Sequence, residues 1–213
     1  MKTDALIGLL AADVPPVRRD AAARRLALAL GAALPLSLAC MAVGYGLRPD
    51  LSQVLALPMF WIKLLFPLCM AAAAFVIVQR LARPGVQVRR AWAGLWVPLL
   101  LLWALALLAW FGAPENGRAA LLWGQSWRGC IVNIAWLSTP LFVATFVALR
   151  GLAPTRPALA GAAAGALAGG LGAAVYALHC QELAAPFLAV WYGAGIALPM
   201  AVGAALGHRL LRW

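Results

Sequence analysis

The sequence is short of charge and shortest of acid: 11% of its 213 residues are charged, and only six are Asp or Glu. An ordinary soluble domain is about 25% charged, so a water-facing globule is already disfavoured. None of the acids falls inside the long apolar runs. Ionisable groups at midplane depth mark ion-coupled transport, and their absence argues against that class. No HExxH, no nucleophile–base pair and no phosphate-cradling glycine loop occurs, which argues against a hydrolase and against an enzyme in general. The start, MKTDALIGLL, is not followed by an apolar core with a small-residue cleavage site, so no cleaved signal peptide is expected.

What is present is apolar: 65% of residues are hydrophobic and the mean hydropathy is +0.91. Crossing ~30 Å of hydrocarbon takes about 20 apolar residues, and with no water for the backbone such runs must be helical. Six runs qualify, at about 26–46, 60–81, 91–111, 131–149, 158–178 and 187–206. The expected fold is therefore all-α, a six-helix transmembrane bundle over 26–213 behind an amino-terminal arm over 1–25. LRPD, RPG, GAPENG and PTRP break the chain between runs. Prolines 35, 67, 98, 140 and 199 fall inside runs and read as kinks.

The net charge of +11 does not form a stripe with interleaved aromatics, so nucleic acid is not an expected partner. Lys and Arg instead cluster between runs. Thirteen fall on one side, before span one, between two and three, between four and five, and after six; four (Arg48, Lys63, Arg118 and Arg128) fall on the other. The positive-inside rule then predicts a multi-pass protein of a bacterial inner membrane with both termini cytoplasmic. Lys63, near an outer span end, is expected to snorkel. Most of the ten tryptophans read as interfacial belts, among them Trp61, Trp110, Trp123 and Trp127 outside and Trp92 and Trp213 inside. Arg118 to Trp127 reads as a short surface helix.

Gly161, Gly165 and Gly169 recur every four residues in span five, a stripe that lets another helix approach closely. It reads as a packing face inside one bundle, with a dimer face as the alternative. Asn133 reads as interhelical glue.

Cys40 and Cys69 lie within apolar runs and read as small buried hydrophobes. Cys130 and Cys180 sit at span ends. They stand about 24 residues before and about 26 after the turn at Pro154, so both rise by ~36–39 Å along an antiparallel hairpin and reach similar depth on the outer side. A disulfide would persist in the oxidising space there. With His179 the two thiols also make a mixed soft ligand set, Cys130, His179 and Cys180, suited to a thiophilic ion such as zinc or cadmium. A structural disulfide, two ordinary thiols and a sensing pair all remain open at this level.

In the arm, residues 4–12 can form a short helix, with Thr3 as cap and Leu6, Ile7, Leu9 and Leu10 on one broad side. Asp13 and two prolines end it. A helix this short is unstable alone in water. With Lys2 set against Asp4 and Asp13 it lacks the basic face of a membrane-surface helix, so a protein groove suits it better.

Several strings, in this order and spacing, resemble the NrsF family of bacterial membrane anti-sigma factors over essentially the whole chain. They are MKTDALI with ADVPP, LRPDL, FWIKL, SWRGC, LAPTRPALAGAAAG, YALHCQE, VWY and the LLRW end. The resemblance implies a six-span protein that holds an extracytoplasmic-function sigma factor inactive through the arm, around Asp4, Leu6, Ile7, Leu9, Leu10 and Asp13. It implies that Cys130 and Cys180 sense oxidative or heavy-metal stress. No cofactor is required, a thiophilic metal ion entering only as a signal. Ile131 stands where the family often has Pro, and Cys40 and Cys69 match no family motif. The rival readings are a membrane thiol-disulfide oxidoreductase, which would need a second reactive pair, and a small-solute transporter, which would need repeat symmetry.

Overall fold

The computed structural model describes residues 3–12, 20–83, 86, 88, 90–152 and 154–212. Asp13 of the proposed binding helix lies outside them, as do Lys2, Pro15, Pro16, Arg18, Arg19, Arg89 and Trp213.

The described residues form nine helices and no strand. They are α1 (Thr3–Ala12), α2 (Ala21–Gly44), α3 (Leu51–Val54), α4 (Pro58–Leu81) and α5 (Ala93–Gly112), followed by α6 (Glu115–Trp123), α7 (Trp127–Arg150), α8 (Pro157–Ala177) and α9 (Ala185–Leu210). Six of them (α2, α4, α5, the α6–α7 stretch, α8 and α9) are long and apolar enough to cross a membrane. The five internal prolines all lie within helices. After its first turn α9 carries a π-helical segment, Leu188–Tyr192, that the apolar pattern does not announce.

Helix α8 is the centre. It packs against α9, α4 and α7, while α2 packs on α7, and α5 touches α4 and the start of α9. Of the most apolar stretch of α8, 83% is buried, against 17% for α5 at the edge. Small side chains make this possible. A Cβ on Gly161 would strike the Gly203 carbonyl, and one on Gly165 the Pro199 carbonyl, so the glycine stripe is the α8–α9 contact inside one chain. Outward, α2, α5 and α7 present Leu28, Leu36, Leu100, Leu101, Leu108 and Val147, an apolar surface larger than water tolerates. Cys69 is exposed on this outer surface and Cys40 half-buried, so neither is a core residue. The reason is geometric: an apolar run this hydrophobic all round gives no sign of which face turns inward.

Every residue of α1 is exposed, with Ile7, Leu9 and Leu10 each at 58% or more. Helix α6 is a separate short helix over residues expected to form one.

Candidate sensing site

The polar groups of the bundle gather at one end, around the segment 178–182 that joins α8 to α9. Residues 45–50, beyond the end of α2, reach this segment first. The Arg48 backbone N–H donates to Leu178 O at 3.1 Å. The Arg48 side chain is buried, and its guanidinium donates to the carbonyls of Cys180 (3.2 Å) and Gln181 (3.5 Å). The same fork meets both carboxylate oxygens of Asp50, at 2.8 and 2.9 Å. The hydrogen bond from Arg48 holds the Asp50 carboxyl below its ordinary value, and Asp50 in turn raises Arg48. His179 faces Gly46 O across 2.9 Å. A carbonyl can only accept, so Nδ1 is the donor in this contact.

Lys63, in the second turn of α4, reaches the same segment from the other side. It is 1% exposed, and its Nζ donates to the carbonyls of Cys180 and Glu182, the latter at 2.8 Å, with the Tyr192 ring 5.6 Å away. It does not snorkel, because three acceptor surfaces inside the bundle replace the water a snorkelling ammonium seeks. Among the described residues no carboxylate makes an ion pair with it. Burying an ammonium this way costs several kcal/mol before its hydrogen bonds offset the loss.

The third grip is on α7. Gly124, at φ +52°, turns the chain so that a Cβ there would overlap the Glu182 carboxylate. That carboxylate accepts from the backbone N–H of Gln125 at 2.6 Å and of Ser126 at 3.3 Å, so a distant loop holds the turn that leads into α7. Ser126 then touches both cysteines. Its carbonyl accepts from Cys130 N at 3.2 Å, and its hydroxyl lies 3.9 Å from Cys180 Sγ. The hairpin count thus does bring the two residues to the same end. Both are buried free thiols. A cleft of about 410 Å³ lined by Gln125, Ser126, Tyr176, His179, Cys180, Gln181 and Glu182 opens beside them.

A chain of hydrogen bonds extends the cluster inward: Tyr45 Oη donates to Asn133 Oδ1 (3.1 Å), and Asn133 Nδ2 to Tyr176 Oη (3.4 Å). Asn133 therefore does join helices. Tyr192, fully buried by the π-helical turn, has a hydroxyl with no hydrogen-bond partner among the described residues. Trp123, Trp127 and Trp191 pack on one another at 4.8 to 5.5 Å, and Trp191 Nε1 donates to Leu122 O.

The triad expected to suit a metal, Cys130, His179 and Cys180, is not drawn together into a ligand set. Among the described residues no group of three or more His, Cys, Asp or Glu is arranged to hold an ion. Sequence reasoning missed Arg48, Asp50, Lys63, Ser126 and Tyr192. The available signals were the pair of cations set apart from the basic clusters, at 48 and 63, and Gly124 ahead of Ser126. The arm residues Asp4, Leu6, Ile7, Leu9 and Leu10 sit on exposed α1, away from this cluster in the chain.

An all-helical bundle with six membrane-length apolar helices and a thiol-bearing polar clasp at one end is the class of protein that this fold and site define. The chain belongs to the NrsF family, whose sequence profile, described as negative regulator of sigma F, matches residues 10–213. It is 45% identical over the full length of both chains to the "Probable anti-sigma-F factor NrsF" of Azospira oryzae. To the "Anti-sigma-F factor NrsF" of Caulobacter vibrioides it is 40% identical, again covering all of both. No solved structure matches the chain significantly.

Proposed function

We propose that this chain is an inner-membrane anti-sigma factor that holds an extracytoplasmic-function sigma factor at its cytoplasmic arm and releases it when a thiol-reactive signal reaches Cys130 and Cys180. The sigma-binding half is supported by the names of two relatives and by α1, an apolar helix none of whose described residues is buried. The observation that carries the sensing half is a pair of free thiols at one end of the bundle, Cys180 beside the Ser126 hydroxyl at the rim of an open cleft and Cys130 one turn of α7 beyond Ser126.

With a hydroperoxide-class oxidant, one thiol breaks the O–O bond, becoming a sulfenic acid as water or alcohol leaves. The second thiol then displaces water from that sulfur to form the disulfide. Two electrons leave the pair and reduce the oxidant. A thiophilic ion would act at the same two sulfurs, displacing their protons. Either event favours one packing of α7 against the 178–182 segment over another. A tenfold loss of sigma affinity needs about 1.4 kcal/mol of such coupling.

Replacing Cys130 and Cys180 with Ser is expected to leave the sigma factor in the membrane fraction under oxidant or cadmium, while deleting residues 2–13 loses it without stress. Unchanged release from the double-Ser chain would remove the sensing half, and unchanged retention by the truncated chain the binding half.

A further inference from the structure

The three grips on segment 178–182 are not equivalent, because one of them leads to the arm. Tyr45, Gly46 and Arg48 all lie within four residues of the end of α2. Between them they hold Asn133, His179, and the carbonyls of Leu178, Cys180 and Gln181. Midway along, Ser37 Oγ donates to Leu137 O on α7 at 2.8 Å. The other end of α2 leads back to residues 3–12.

We infer that Arg48, fixed by Asp50, is the positioning residue of a latch that ties the Cys180 segment to α2, and that the closed latch belongs to the sigma-retaining state. This rests on the sigma-holding reading above and names the residue through which the thiol end acts on the arm. An interaction present in only one of two states adds its whole free energy to that state. Opening the latch therefore releases the sigma factor even when neither thiol has reacted. Signal chemistry at Cys180 works by the same route, since the sulfur that reacts and the carbonyl that Arg48 holds belong to one residue. Arg48 suits this role because its fork grips Asp50 and two carbonyls at once, so that a small backbone shift breaks several bonds together.

The test uses the full chain in its native membrane in unstressed cells. It has two readouts: the sigma factor that copurifies with the chain, and labelling of Cys180 by a membrane-impermeant maleimide, followed by mass spectrometry. Arg48→Met is expected to lower copurifying sigma factor about tenfold and to speed Cys180 labelling about fivefold, as loss of a hydrogen-bonded charge at a two-state element implies. Asp50→Asn, at a half-buried position outside the hydrophobic core, shifts both readouts in the same direction by about two- to threefold. Arg48→Lys, which keeps the charge, recovers more than half of the retention.

The latch is overturned if both Arg48→Met and Asp50→Asn retain the sigma factor at wild-type level, or if Cys180 labels faster with retention unchanged. Should Arg48→Met fail to reach the membrane, Asp50→Asn decides the matter. A wild-type chain that itself retains no sigma factor sinks the holding reading instead, so the two failures are distinguishable.

Discussion

At the level of single residues, the ammonium of Lys63 and the guanidinium of Arg48 hold adjoining carbonyls, yet they differ in what answers their charge. Arg48 has Asp50; Lys63 has only two carbonyl oxygens and a ring. Removing the ammonium relieves a desolvation cost of several kcal/mol but forfeits its bonds to the Cys180 and Glu182 carbonyls and its ring contact. It also leaves the Glu182 carbonyl short of a donor, at about 1–3 kcal/mol, while Arg48 still serves Cys180. These terms nearly cancel. Lys63→Met is therefore expected to change global stability in detergent by less than about 1 kcal/mol, while hydrogen exchange at 180–184 speeds about tenfold as the loop loses its anchor. A large global loss with unchanged loop exchange would refute this account. The burial of Lys63 was not legible in the sequence. Its acceptors lie 117 and 119 positions further on, and a lone cation near an apolar run looks the same whether it faces water or carbonyls. The two cysteines were legible, because counting along one hairpin is a short-range argument, whereas Ser126 and Glu182 between them depend on a turn that only Gly124 hints at.

Among the helices, apolar length carries nearly all the information, and six of them fall within a few residues of where hydropathy puts them. Partner choice is legible only where side chains vanish. The four-residue glycine spacing in α8 announces a close approach but not what approaches, and the answer is α9, through Gly203, Gly207 and the Pro199 carbonyl. The π-helical turn at Leu188–Tyr192 escapes pattern reasoning altogether, since LAVWY carries no glycine or proline of its own to mark it. The α8–α9 seam makes a sharp prediction. Gly165→Leu pushes a side chain into backbone and is expected to cost about 3 kcal/mol or more. Gly31→Leu on α2, where an added Cβ meets nothing within 4 Å, should stay within about 0.5 kcal/mol. Unfolding in a mixed-detergent titration measures both, and equal effects would place the seam elsewhere.

For the molecule as a whole, the thiol cluster and the arm must face opposite compartments if one is to report to the other. Helix α2, which connects them, has 24 residues, or about 36 Å, enough to cross ~30 Å of hydrocarbon. Arg48 and Lys63 are absorbed into the clasp, so of the four cations on the sparse side only Arg118 and Arg128 remain outside it. That sharpens the charge asymmetry on which orientation depends. A cysteine placed at Asn116, exposed in α6, should therefore react with an impermeant maleimide in intact cells. One placed at Thr155, exposed in the turn between α7 and α8, should react only after the membrane is opened. The reverse pattern would turn the arm away from every sigma factor and put the thiols in the reducing compartment, where an oxidised pair does not persist. No adjustment of residue roles could rescue a relay built that way, so orientation is the measurement on which the residue-level claims depend.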